Sequence, residues 1–164
     1  MIRLRPEQPG EEAAIAALTS AAFANAEHSD GTEAAIIERL RAGGALTLSL
    51  VAVEDGRIAG HVAFSPVTIG GHEGWVGLGP VSVAPDRQGK GIGAALIREG
   101  LSRMRAAGHG GCVVLGEPGY YGRFGFAVDP AITYPGVPPE YFMALHFAGP
   151  IPKGETAYHP AFTG

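Results

Sequence analysis

Gly89, Gly91 and Gly93 alternate through a short loop that also holds Arg87, Gln88 and Lys90. Before it, Val81 and Val83 close a β-branched run, which Pro85 and Asp86 break. After it, Ile92, Leu96, Leu101 and Met104 recur on one stripe, which predicts a helix over residues 91–107. The loop therefore joins a strand to a helix N-terminus. Glycines there leave backbone N–H groups uncovered, and the helix dipole adds partial positive charge, a combination suited to a phosphate. Arg87 and Lys90 add formal positive charge beside it. Gly89-x-Gly91-x-x-Ala94 also fits the dinucleotide fingerprint, with Glu117 as its downstream acid. Context counts against that reading. Residues 84–88 separate the strand from the first glycine, Glu117 comes too late, and one β-α-β unit is visible where a dinucleotide needs two halves. The Walker pattern is absent, since no Gly-Lys-Ser/Thr is present.

The elements that must position this loop can be read in chain order. Residues 2–5 alternate apolar and basic side chains and predict a first strand, ended by Pro6 and by Pro9-Gly10. Glu11 and Glu12 occupy a helix first turn, with Ile15, Leu18, Ala22 and Phe23 inward. Residues 25–31 are a polar break. Asp30 with Glu33 resembles a capping box for a second helix that reaches Arg41, with Ile36, Ile37 and Leu40 inward and Gly43-Gly44 as its stop. Residues 46–54 and 57–65 read as a hairpin through a two-residue type I′ turn at Asp55-Gly56. Residues 66–74 make a looser reversal, and residues 75–83 form the third strand of this meander. Gly77, Gly79 and Pro80 within it predict a bulge near 79–80, just before the glycine loop.

The helix ends at residues 108–111, and residues 112–115 form a buried strand parallel to 75–83 through a right-handed crossover. Residues 118–124 are a short helix or turn, and 126–128 start another strand. Residues 130–140 are a proline-rich loop, 141–147 the last strand, and 150–164 an irregular tail. The expected fold is α/β, a mixed, mostly antiparallel sheet with one central β-α-β unit and helices on both faces, in a single domain over residues 1–164.

Composition narrows the function. Of the 164 residues 46% are hydrophobic, enough for a sizeable core, and a net charge of −4 leaves no nucleic-acid footprint. Cys112 is the only cysteine and sits in an apolar run, so it reads as buried packing with no intrachain disulfide to form. No signal peptide opens the chain, and no apolar run approaches the roughly 20 residues of a membrane span. The expectation is a cytoplasmic protein with no nucleic-acid or membrane partner. No His/Cys/Asp cluster has metal-ligand spacing, and no Gly-x-Ser-x-Gly elbow is present.

Gln88-x-x-Gly91-x-Gly93 also fits the Q/R-x-x-G-x-G/A signature of acetyl-CoA-binding N-acetyltransferases. Residues 78–96 resemble the central acetyl-CoA motif of the GNAT superfamily over its whole length, and the element order is similar to that family's. Tyr121-x-x-x-Gly125-Phe126 looks like its later Y-x-x-x-G-F segment. The end of the chain, with Tyr141, Gly154 and Tyr158, is similar to a bacterial branch of predicted acetyltransferases. Two positions depart from the pattern: Val114 stands where many members carry asparagine, and the bulged strand lacks the glutamate some members use as a base. The resemblance implies an N-acetyltransferase that takes acetyl-CoA as co-substrate and passes the acetyl group to a primary amine by direct attack.

That chemistry can be laid on the chain. The cofactor pyrophosphate falls to Gln88, Gly89, Lys90, Gly91, Ile92, Gly93 and Ala94, and the pantetheine arm to the strand edge at Val81, Ser82 and Val83. A bulge near Pro80 turns the Val81 N–H toward the developing oxyanion. The family spacing before Gly125-Phe126 makes Tyr121 the general acid for the departing thiolate, a role for which a phenol of reference pKa about 10 is protonated at neutral pH. Tyr120 is its rival. Glu117 reads as a loop acid beside the cleft or in solvent. Glu27 and His28 are surface or acceptor-side groups in the helix-connecting loop, and His61 is a packed strand residue. Two other functions share parts of the pattern, a non-catalytic acyl-CoA-binding or regulatory module and a dinucleotide-dependent oxidoreductase. The sequence leaves open the acceptor and the oligomeric state, a homodimer included.

Overall fold

The computed structural model describes residues 1–24, 26 and 29–163. Its elements are β1 (Ile2–Pro6), α1 (Glu12–Phe23), α2 (Glu33–Ala42), β2 (Leu48–Glu54), β3 (Arg57–Ile69), β4 (His72–Val83), α3 (Ile92–Ala106), β5 (Gly111–Leu115), α4 (Pro118–Tyr121), β6 (Ile132–Thr133), β7 (Phe142–His146) and β8 (Gly154–Tyr158). The main sheet runs β1-β2-β3-β4-β5-β7, with β8 on β3 and β6 on β8. Along that path every neighbour is antiparallel except β4 and β5, which α3 joins as a β-α-β unit.

Alternation along the strands decides which helix each face takes. Leu50, Ala52, Val62 and Phe64 meet Ile92, Leu96 and Ile97 of α3 on one face. Val51 and Ala63 meet Ile15 of α1 and Ile37 of α2 on the other. Helices therefore cover both faces, as the apolar patterns imply.

Several boundaries differ from the sequence expectation. β3 runs on to Ile69, so the reversal is a tight turn at Gly70-Gly71 rather than a loose one over 66–74. Pro66 lies inside this strand. β2 stops pairing with β3 at Phe64 and β8 starts at Val67, so Pro66 falls in the gap between them, the kind of position where a strand tolerates proline. Residues 126–128 form no strand. Ala127 makes a single bridge to Ala144. The proline-rich loop contains β6, and β7 is not the last strand.

The expected irregular tail instead supplies β8 and a turn at Pro160–Phe162. Ala161 packs on Ile36 and Leu40, and Arg39 donates to its carbonyl at 2.7 Å. The Asp30/Glu33 capping box does not form either. Thr32 is the N-cap of α2, Asp30 accepts from the Thr32 N–H and hydroxyl, and Glu33 accepts from Ser29.

A buried polar line crosses the sheet under α1 and α2. His61 of β3 is fully buried, with Nε2 2.7 Å from Ser49 Oγ. Ser49 donates to Glu7, and Glu7 pairs with Arg41 at 2.9 Å. With the serine proton directed at the carboxylate, His61 Nε2–H donates to Ser49 and the ring is neutral. Burial holds the imidazole pKa down to about 4, against the pull of Glu7. The unfolded chain takes up that proton below about pH 6.5. The folded chain resists until about pH 4, so the stability present above the unfolded pKa is lost as pH falls through this window. The loss should approach about 3 kcal/mol. Urea titrations across that window should show it, and His61→Gln should lower stability at every pH while flattening the slope. A variant slope equal to wild type would place the acid sensitivity in other groups.

Candidate active site

Val62 pairs with Val81 and Phe64 with Leu78, so Gly79 and Pro80 together oppose the single residue Ala63. This is the expected bulge, and Gly79 takes a φ of 124° within it. On the other side of β4, pairing with β5 runs from Trp75–Gly111 to Gly77–Val113 and stops. The two strands then splay, and a slot opens between residues 78–83 and the end of β5. The Ala84 N–H donates to Ala59 O at 2.9 Å. That bond fixes the alternation: Ser82 exchanges bonds with His61 on β3, while Val81 and Val83 turn their N–H and C=O groups toward the slot. Gln88 Nε2 reaches the freed Val83 carbonyl at 3.2 Å. Ser82, expected on the cofactor edge, is a correction. Its backbone is engaged with β3, and its side chain is buried toward α1, 3.4 Å from Thr19 Oγ1.

At the head of the slot, Gly89 and the N-cap Gly91 take left-handed φ values of 79° and 82°, which glycine adopts without strain. The first helical bond of α3 runs from Ala95 N–H to Gly91 O. Among the described residues, the N–H groups of residues 88–94 meet no backbone acceptor, and no side chain caps the helix. Of these, residues 88, 89 and 91–94 line a cleft of about 310 Å³ together with Val83, Arg87, Tyr120 and Arg123. Ile92 buries its side chain in the core and contributes only its amide.

The charges differ from expectation. Arg87 is paired with Glu54, so Arg123 and the exposed Lys90 carry the cationic side of this region. Arg123 lies 4.6 Å over the Tyr120 ring and donates to the Tyr120 carbonyl. The Tyr120 hydroxyl lies 3.6 Å from where a Cβ on Gly93 would stand. The sequence reading gave neither residue to the phosphate end. The available signal was their three-residue spacing on one short helical segment, which places both on one side.

Tyr121 lies beside the end of β5, its ring centroid 5.1 Å from that of Tyr120. Its ring covers Gly116, where a Cβ would fall 2.4 Å from the tyrosine Cε2, and it stands edge-on to Phe126 and Tyr120. Burial pushes its phenol pKa up to about 12, so it remains a proton donor at neutral pH. Cys112 is fully buried in β5, and burial raises its thiol, which fits packing and not nucleophilic chemistry. Glu117 is exposed at the start of α4. His61 sits on the opposite sheet face, away from the cleft. Glu27 and His28 lie outside the described residues. No group of three metal-ligating side chains occurs among the described residues.

A splayed parallel strand pair with an amide-rich helix start at its head can take an extended, phosphate-bearing ligand. The family model for an Acetyltransferase (GNAT) domain matches residues 3–128, and the chain belongs to that family. The uncharacterized N-acetyltransferase YhbS of Escherichia coli K12 is 41% identical over 125 residues, which cover 75% of this chain and 72% of YhbS. A GNAT family acetyltransferase from Brucella melitensis, solved in complex with acetyl-CoA, is 52% identical, with a TM-score of 0.89 over 99% of this chain and 98% of that one. The structure of Escherichia coli YhbS in complex with CoA gives a TM-score of 0.88 at 33% identity, over 99% and 92%.

Proposed function

We propose that the protein transfers the acetyl group of acetyl-CoA to a primary amine by direct attack of the amine on the thioester. The observation that carries this reading is the continuity of the free amides at residues 88–94 with the outward-turned edge of Val81 and Val83. The acetyl-CoA and CoA complexes of the Brucella and Escherichia relatives support it. Bound acetyl-CoA supplies the activated acetyl group. Gln88, Gly89, Lys90, Gly91, Ile92, Gly93 and Ala94 hold its pyrophosphate, with Arg123 and Tyr120 flanking. The edge groups of Val81 and Val83 pair with the pantetheine amides, and the Val81 N–H faces the carbonyl oxygen as charge develops there. The amine nitrogen bonds to the acetyl carbon, and the C–S bond breaks with its electron pair on sulfur. Tyr121 donates a proton to that sulfur, the nitrogen's proton passes to solvent, and the Tyr121 phenolate regains a proton from solvent, so that one proton moves in all from nitrogen to sulfur.

In this reading residues 1–164 act as one domain, in the cytoplasm, with acetyl-CoA and the amine as partners. No helix among the described residues is long and apolar enough to cross a membrane. Acetyl-CoA and CoA should raise the melting temperature and NAD should not. An amine library with acetyl-CoA should release free thiol with at least one class of acceptor. Stabilisation by CoA with no thiol release from any amine would replace the enzyme with a CoA-binding module.

A further inference from the structure

On the sheet face away from α3, a line of aromatic rings leads from the slot to an apolar cavity. It begins at Gly77, the last residue of β4 paired with β5. A Cβ there would fall 2.8 Å from Cε1 of Tyr158, so the glycine lets the Tyr158 ring lie directly on the strand where the splay begins. Tyr158 meets the edge of Tyr134 at 5.2 Å between centroids, and Tyr134 stacks on Phe142 at 5.4 Å. Phe142 is the cross-strand partner of Leu115. Directly opposed residues share a face, so Leu115 stands beside this ring at the end of β5. Leu115 is 44% exposed, and Val128 and Tyr141 near the same strand ends are 46% and 40% exposed. Val128, Pro130, Ile132, Tyr134, Pro139 and Phe142, with Asp129 and Thr133 as its polar members, wall a cavity of about 380 Å³. Small-ligand sites begin at roughly 300 Å³ and are mostly apolar with few polar groups.

We infer that this cavity holds the body of the acceptor, and that the acceptor is a small primary amine on an apolar aryl or alkyl frame. The inference rests on the acetyl transfer proposed above. The frame packs between Tyr134 and Phe142 on one side and Pro130 and Pro139 on the other. The amine extends past Leu115 toward the slot. The balance is an amine and a thioester giving an amide and a thiol: one N–C bond forms, one C–S bond breaks, one proton leaves nitrogen and one joins sulfur. A polycationic or hydroxyl-rich amine would find only Asp129, which already accepts from the Ala131 N–H, and Thr133 to pair with, and would bury its other polar groups against carbon. A peptide backbone would face the same loss.

The test compares 2-phenylethylamine and hexylamine with spermidine and an alanine-terminated peptide, on the full chain with saturating acetyl-CoA for kinetics and CoA for calorimetry. The apolar amines should show kcat/KM at least about 30-fold above the polar ones, in the range that apolar pocket contacts deliver. Val128→Arg places a cation at the exposed rim, and Tyr134→Ala removes one wall. Each should weaken calorimetric binding of 2-phenylethylamine by at least about 10-fold, with CoA binding in the same samples reporting the fold. Preferred turnover of spermidine or the peptide would overturn the acceptor class and leave acetyl transfer standing. Binding of 2-phenylethylamine that ignores both substitutions would overturn the cavity. Absence of CoA binding or of thiol release with every amine would instead remove the acetyl-transfer reading.

Discussion

Gly91→Asp should weaken CoA binding by about 100-fold or more while leaving the fold in place. That loss corresponds to about 2.7 kcal/mol. Gly91 is the N-cap of α3 with φ at 82°, and nothing lies within 4 Å of the position its Cβ would take. The new Cβ therefore meets no protein atom. The carboxylate stands among the free amides of residues 88–94, where a phosphate would sit. It would satisfy those donors itself and repel a dianionic ligand. Aspartate and asparagine visit the left-handed region more readily than other residues with a Cβ, so backbone strain is modest. Gly91→Asn is the matched control, because it adds the same volume without the charge. It should lose about 10-fold, and the difference between the two variants isolates the electrostatic part. Calorimetry with CoA measures both, and melting temperatures check the fold. Wild-type affinity in Gly91→Asp would take the pyrophosphate site away from this cleft.

The parts of the site carried by local pattern were legible in the sequence. Gly89, Gly91 and Gly93 announced a helix start with bare amides, and the structure gives it that geometry. Gly79-Pro80 in a β-branched run announced a bulge, and one is there. What was not legible depends on contacts far apart in sequence. The side to which Ser82 turns is set by the phase of pairing between β3 and β4, which no single strand records. Arg87 looked available until Glu54 was brought beside it. β8 was hidden because Pro150, Pro152 and Pro160 surround five residues of which only Thr156 is buried, too weak an alternation to read as a strand. Tyr158 gains its meaning only when β8 lies on β3 and sets that ring against Gly77.

Tyr121→Phe should lower kcat by about 100-fold, within the usual range for a general acid, with CoA affinity nearly unchanged. The substitution removes one hydroxyl and keeps the ring, so the contacts with Gly116, Phe126 and Tyr120 survive. A departing thiolate needs a proton or a hydrogen bond as the C–S bond breaks, and a phenol that is protonated at neutral pH can supply it. Burial pushes the Tyr121 pKa up to about 12, so loss of the acid should begin only at a pH well above that of a free phenol. The wild-type kcat should accordingly show no fall between about pH 8 and pH 10 from this group. Tyr120→Phe separates the two adjacent rings. Residues one apart on a helix point about 100° apart, and the Tyr120 hydroxyl is turned to the first turn of α3 near Gly93. Its loss should therefore weaken CoA binding by a few-fold and leave kcat within about 5-fold of wild type. Steady-state rates and CoA titrations on both variants give the two readouts. Full kcat in Tyr121→Phe together with a large loss in Tyr120→Phe would exchange their roles, and full kcat in both would leave protonation of the thiolate to water.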